Sequence, residues 1–143
     1  MLPNLSSLSA SVPCEDVGLA YTETLNGADY YYVGETGAER LVMMVGQDGV
    51  IEHYRGEKDA ERIVSMEYPN KVVYYGGEKD AERLERRVYQ NGAADYYEGE
   101  KGAERLVKTV DQDRVIEYYE GERGYEQPVR RVFPDGQVIY YAD

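Results

Sequence analysis

A chain of 143 residues is long enough for one domain, and its formal net charge of −12 disfavours nucleic acid and anionic lipid, both of which select basic surfaces. Charged residues make up 31%, and 16 tyrosines dominate the 42% hydrophobic class beside one Phe and no Trp, so an ordinary oily core is not expected. The lone Cys14 excludes an internal disulfide, and no apolar run approaches the roughly 18–20 residues that a membrane-spanning helix needs.

Residues 1–18 carry no charge before Glu15 and are rich in Ser. They read as an irregular arm or cap. No basic region precedes a long apolar stretch, so a signal peptide is not supported. Leu19, Tyr21, Glu23 and Leu25 then alternate with their neighbours and lead into Asn26-Gly27, which marks 19–26 as a leading strand.

From there the chain repeats itself, and self-similarity at a fixed short period outranks other signals. Gly-Glu falls at Gly34, Gly56, Gly77, Gly99 and Gly121, spaced 22, 21, 22 and 22 residues apart. A second punctuation falls at Asp48-Gly49, Asn70-Lys71, Asn91-Gly92, Asp113-Arg114 and Asp135-Gly136. The repeats are therefore 27–48, 49–70, 71–91, 92–113 and 114–135, followed by a half-repeat at 136–143, so that 19–143 forms a single repeat domain. Each repeat holds two short runs of Tyr, Val, Ile and Leu, types that suit a pleated, half-buried surface.

Both connections suit hairpins. Lys101-Gly102 can turn tightly because Gly accepts positive φ. Phe133-Pro134-Asp135-Gly136 suits a type I turn followed by a left-handed glycine. Taking Lys101-Gly102 as a two-residue turn pairs Tyr97 with Leu106, Glu98 with Arg105, Tyr96 with Val107 and Asp95 with Lys108. Side chains alternate along strands. Keeping equivalent residues on one face of an even-length repeat then requires both connections to be odd or both even. The third repeat is one residue short, and a bulge or altered turn is expected between Lys71 and Gly77. Adjacent tyrosines must point to opposite faces, which predicts half-buried rings with wet hydroxyls on both. The expected fold is all-β: an extended single-layer antiparallel meander of about 12 strands, with neither face needing a cover and with ladder pairs contributing roughly 0.2–1 kcal/mol each.

The Tyr-x-Gly start, the later turn glycine and the two-strand unit at a period near 22 resemble MORN repeats, carried by Tyr32-Val33-Gly34, Tyr54-Arg55-Gly56, Tyr97-Glu98-Gly99 and Tyr119-Glu120-Gly121 over about residues 27–143. The Gly-x-Gly found later in that family's repeat is replaced here by Glu-Arg-Leu-Val. The Glu-Lys-Gly-Ala-Glu-Arg segment is also similar to anonymous tandem-repeat proteins of unicellular algae. The MORN resemblance implies an extended hairpin sheet used for scaffolding and protein contacts, sometimes at phospholipid surfaces.

No active site is expected. His53, the only imidazole, sits in a column otherwise made of Tyr31, Tyr74, Tyr96, Tyr118 and Tyr140, so it reads as a structural substitution. Cys14 has no basic neighbour to activate it. No phosphate loop or zinc spacing occurs, the acidic residues follow the period, and Asp111-Gln112-Asp113-Arg114 lacks the oxygen spacing of a calcium loop. No metal or cofactor is therefore expected. Arg86, Arg87, Arg130 and Arg131 offer a local basic patch for a membrane-surface reading.

Both tyrosine columns either serve as structural ladders alone or offer a contact surface, with Tyr32, Tyr54, Tyr75, Tyr97, Tyr119 and Tyr141 as the candidate contact residues of the second and Tyr30, Tyr31, Met43, Met44 and Met66 at its apolar end. Met43 and Met44 either pack beneath the N-terminal arm or offer an adaptable contact. Gly136–Ala142 is expected as an edge strand open to strand addition by a partner or a second copy, unless Asp143 and the terminal carboxylate blunt it. The expectation is a soluble intracellular scaffold, of the cytoplasm or an organelle such as a plastid, that binds a protein partner, plausibly a basic one.

Overall fold

A computed structural model describes residues 19–141. The irregular arm expected at 1–18, with Cys14, and the last residues, 142–143, lie outside the described part. Twelve strands follow in order: β1 (Leu19–Leu25), β2 (Ala28–Val33), β3 (Arg40–Val45), β4 (Ile51–Arg55), β5 (Arg62–Tyr68), β6 (Lys71–Gly76), β7 (Arg83–Tyr89), β8 (Ala94–Glu98), β9 (Arg105–Val110), β10 (Ile116–Glu120), β11 (Gln127–Val132) and β12 (Val138–Tyr140). They form one sheet in sequence order, every neighbour antiparallel, with no helix among the described residues. The front face is the one that carries Tyr97, and the back face the one that carries Tyr96.

Turn chemistry explains the hairpins. Asn26 and Gly27 both hold positive φ, 52° and 82°, as a two-residue turn matched to strand twist requires. At 133–137 the backbone N–H of Gly136 donates to Phe133 O at 2.8 Å, Gly136 sits at φ 92°, and Asp135 Oδ1 accepts the N–H of Gln137. The same turn recurs at 46–50, 89–93 and 111–115. In the six-residue connection 99–104, Ala103 N–H donates to Glu100 O at 2.8 Å and Gly102 lies at φ 82°. Gly99 is also obligatory: at φ 115°, an added Cβ would lie 2.6 Å from Ala103 O.

The register departs from the expected one at a single recurring place. Tyr97 faces Leu106 and Glu98 faces Arg105, but Tyr96 faces Lys108 and Asp95 faces Thr109. Val107 is left over as a bulge. Val42, Val64, Glu85 and Val129 are the corresponding extra residues of the other repeats. This bulge corrects the parity rule. One connection has six residues (99–104) and the other five (111–115), and the bulge returns the strand to its face.

The missing residue of the third repeat lies earlier than expected. The β5–β6 turn is shortened to Pro69-Asn70 between Tyr68 and Lys71. From Lys71 onward, β6 pairs with β7 in the common register.

Neighbouring repeats are joined by short ladders. β3–β4, β7–β8 and β9–β10 each pair over three positions and then diverge toward the six-residue turns. The Glu of Ala-Glu-Arg spans that opening. Glu104 Oε1 accepts the N–H of Gly102 in its own turn, and Oε2 accepts the N–H of Leu84 in the preceding repeat, both at 3.0 Å. Glu61 reaches Leu41 and Glu126 reaches Leu106 in the same way. The turn cation does likewise: Lys58, Lys79, Lys101 and Arg123 donate to backbone carbonyls of the preceding turn. The segment that first reveals the period is therefore the stitching between repeats.

Candidate functional site

Cross-strand pairing threads two kinds of row through the back face. One runs Tyr31, Met43, His53, Ser65, Tyr74, Arg86, Tyr96, Lys108, Tyr118, Arg130, Tyr140. In three repeats a cation lies over the tyrosine of its own hairpin: Arg86 over Tyr74 at 4.2 Å, Lys108 over Tyr96 at 4.4 Å and Arg130 over Tyr118 at 4.1 Å. The adjacent row is mostly aliphatic, with Val45, Ile51, Val72, Val88, Ala94, Val110 and Ile116 broken by Glu67.

At the first repeat the back face is not wet. Tyr31 is 0% exposed and clusters with Val33, Val42 and Met43, all buried. The Tyr31 hydroxyl has no hydrogen-bond partner among the described residues. This corrects, at the first repeat, the expectation that every ring is half-buried with its hydroxyl in water. Met43 and Met44 also separate, Met43 into this cluster and Met44 opposite Tyr30 on the front.

The front face gathers the remaining candidates: Tyr30, Tyr32, Met44, Tyr54, Met66, Tyr75, Tyr97, Tyr119 and Tyr141. Tyr32 stacks on Tyr21 with centroids 4.5 Å apart. Tyr54 donates to Glu52, and its hydroxyl pKa is pushed up by burial first and then by that carboxylate. Tyr75 points its hydroxyl at Met66 Sδ, 3.7 Å away, and Arg87 lies over Tyr97 at 5.4 Å. Around Glu117, Tyr141, Arg131 and Tyr119 all donate to one carboxylate. The Tyr141 bond first, and then Arg131, hold the Glu117 carboxyl below its ordinary range. These hydroxyls are tied into front-face contacts, as ladder residues would be.

The supposed basic patch is divided. Arg86 and Arg130 lie on the back over Tyr74 and Tyr118, whereas Arg87 and Arg131 lie on the front against Tyr97 and Glu117.

One groove stands out, on the back of β3–β7, with a volume of about 860 Å³. His53, Ser65, Glu67, Tyr74, Glu85 and Arg86 line it. His53 Nε2 meets the Glu67 carboxylate, and Arg83 donates to Glu85 at 3.4 Å. Sequence reading treated His53 as a solitary substitution. The missed signal was that Ser65 and Glu67 break the repeat pattern at the same place. No helix among the described residues is long and apolar enough to cross a membrane. Comparison with protein-family models, with curated proteins and with solved structures finds no match to this chain.

Proposed function

We propose that the chain is a non-enzymatic protein-binding scaffold, an accessory part of a larger assembly. The observation that carries this reading is the cluster of exposed apolar side chains at the β12 edge. Val138, Ile139 and Tyr140 are 39%, 43% and 72% exposed, and β12 pairs only with β11 among the described strands. An edge whose backbone groups are unpaired among the described residues, with exposed Ile and Tyr, is a template for strand addition, by a partner or by a second copy. The charge of −12 favours a basic partner. Native mass measurement of wild type and Ile139→Lys tests the reading. Complexes or oligomers that the variant loses are expected. Monomer alone for both proteins, across conditions and in the presence of basic candidate partners, would count decisively against it.

A second reading, enzymatic, is favoured by one observation: the groove brings His53 together with Glu67 and Glu85. It ranks lower because Ser65 makes no hydrogen bond to the imidazole among the described residues, and both carboxylates are already engaged, Glu67 by the imidazole and Glu85 by Arg83. The membrane-surface reading ranks lower still, because the arginines it relies on are shared between opposite faces.

A further inference from the structure

The second repeat departs from its sisters on the back face at positions that lie together. His53 stands in a tyrosine row, and Ser65 stands where the others hold Met43, Arg86, Lys108 and Arg130. Smaller side chains at both positions open the groove. Arg55, another lining residue, stands where the others hold Val33, Gly76, Glu98 and Glu120.

The groove's carboxylates are matched, whereas its Arg55 has no carboxylate partner among the described residues. Glu67 meets His53, and Glu85 accepts from Arg83. Arg55 sits directly opposite Arg62, and among the described residues neither meets a carboxylate. In the fourth repeat the same two positions are Glu98 and Arg105, an ion pair at 3.8 Å. Like charges directly opposite each other destabilise a sheet, so the second repeat carries a cost that an anion between the two guanidiniums would remove. Guanidinium forks suit carboxylate and phosphate oxygens in particular. Arg86 adds a third cation on the Tyr74 ring, and Val64 adds apolar surface.

We propose that this groove binds a small organic anion, with its carboxylate or phosphate group held by the lining residues Arg55 and Arg86, its charge also offsetting Arg62 opposite Arg55 at the rim, and its apolar body against Val64 and Tyr74. The overall negative charge gives no long-range steering toward such a ligand, so recognition acts at contact and weakens with added salt. The site is separate from the β12 edge and stands or falls independently of the scaffold reading.

The test is a titration of the whole chain at low ionic strength with phenyl phosphate, benzoate, inorganic phosphate and, as cationic control, benzylamine, followed by backbone amide NMR shifts. Saturable shifts centred on Arg55, Ser65 and Arg86 are expected with both organic anions, stronger than with inorganic phosphate and absent with benzylamine. Arg55→Glu recreates the Glu–Arg pair of the fourth repeat and should keep the fold while weakening binding at least about tenfold, the equivalent of one lost charged contact. Arg86→Gln, which leaves the Arg55–Arg62 pair untouched, should weaken it as well. No saturable response to either organic anion, or affinity unchanged in both variants, overturns the proposal. Anionic phospholipid vesicles run alongside distinguish a headgroup from a free anion: vesicle binding without any response to the soluble anions overturns it too.

Discussion

Asp59 and Asp80 hold φ of 67° and 69° at the turn position where Gly37, Gly102 and Gly124 stand in sister repeats, and Arg114 holds 67° where Gly49, Gly92 and Gly136 stand. The left-handed region costs an L-residue roughly 1–2 kcal/mol, less for Asp, whose side chain tolerates it. Arg114→Gly should therefore stabilise the protein by about 1 kcal/mol, and Asp59→Gly and Asp80→Gly by less, read as shifts in urea midpoint at constant slope. Gly99→Ala should cost about 2–3 kcal/mol or more, because it combines a φ of 115° with a Cβ only 2.6 Å from Ala103 O. The stitching carboxylates carry a pH signature. The N–H of Leu84 first, and then the N–H groups of Glu104 and Gly102, lower the Glu104 pKa from 4.5. A group with a depressed folded pKa contributes stability that is fully present above its unfolded pKa and is lost as pH falls through the folded one. Acid also relieves the self-repulsion of a −12 chain, which acts in the opposite direction. The comparison to make is therefore wild type minus Glu104→Gln. Their stability difference should hold steady at neutral pH and shrink as pH drops below about 4.5, measured by urea unfolding between neutrality and pH 3.

Within one hairpin, the tyrosine and the cation of the back-face row form a rung, and the second repeat lacks it because His53 and Ser65 occupy the two places. Installing both partners, His53→Tyr with Ser65→Arg, should add about 0.5–1 kcal/mol in a double-mutant cycle, and neither single change should reproduce that coupling. A cycle with no coupling would mean that the rungs are geometry without energy. These rungs were hidden in the sequence, although the strands were not. Period, hairpins and antiparallel order were legible because glycines and Asp/Asn punctuate the chain at fixed distances and each has a backbone reason to be there. Val107 could not announce itself as a bulge: it is as good a strand residue as Leu106, and skipping it moves Lys108 from beside Asp95 to beside Tyr96. A register error of one residue reverses a face, so every cross-strand pair beyond Tyr97–Leu106 was displaced and the alternation of tyrosine with cation stayed out of sight. The groove shared that fate, since Ser65 comes to lie opposite His53 only through the bulge at Val64.

Among the described residues, contacts between strands occur only between neighbours in sequence, so the sheet is close to one-dimensional, and its stability should vary along its length rather than collapse as one unit. Its two end strands are both exposed, but what lies beside them differs. Next to β1, whose residues 20–25 are exposed, Tyr31, Val33, Val42 and Met43 of β2 and β3 are buried together. At the other end, β12 is exposed at every residue and is held by three ladder pairs to β11 and by the Tyr141 hydroxyl on Glu117. Burial of apolar area outweighs exposed ladder bonds, each worth about 1 kcal/mol net. Native-state hydrogen exchange should therefore show graded protection, with amides of β2 and β3 opening only near the global unfolding free energy and those of β11 and β12 opening well below it. Met43→Ala should lower protection first in β2 and β3, by about 2–4 kcal/mol, and leave β11 and β12 nearly unchanged. If all twelve strands instead lost protection together, the sheet would be a single cooperative unit, and the groove at its middle could not respond to a ligand without involving both ends.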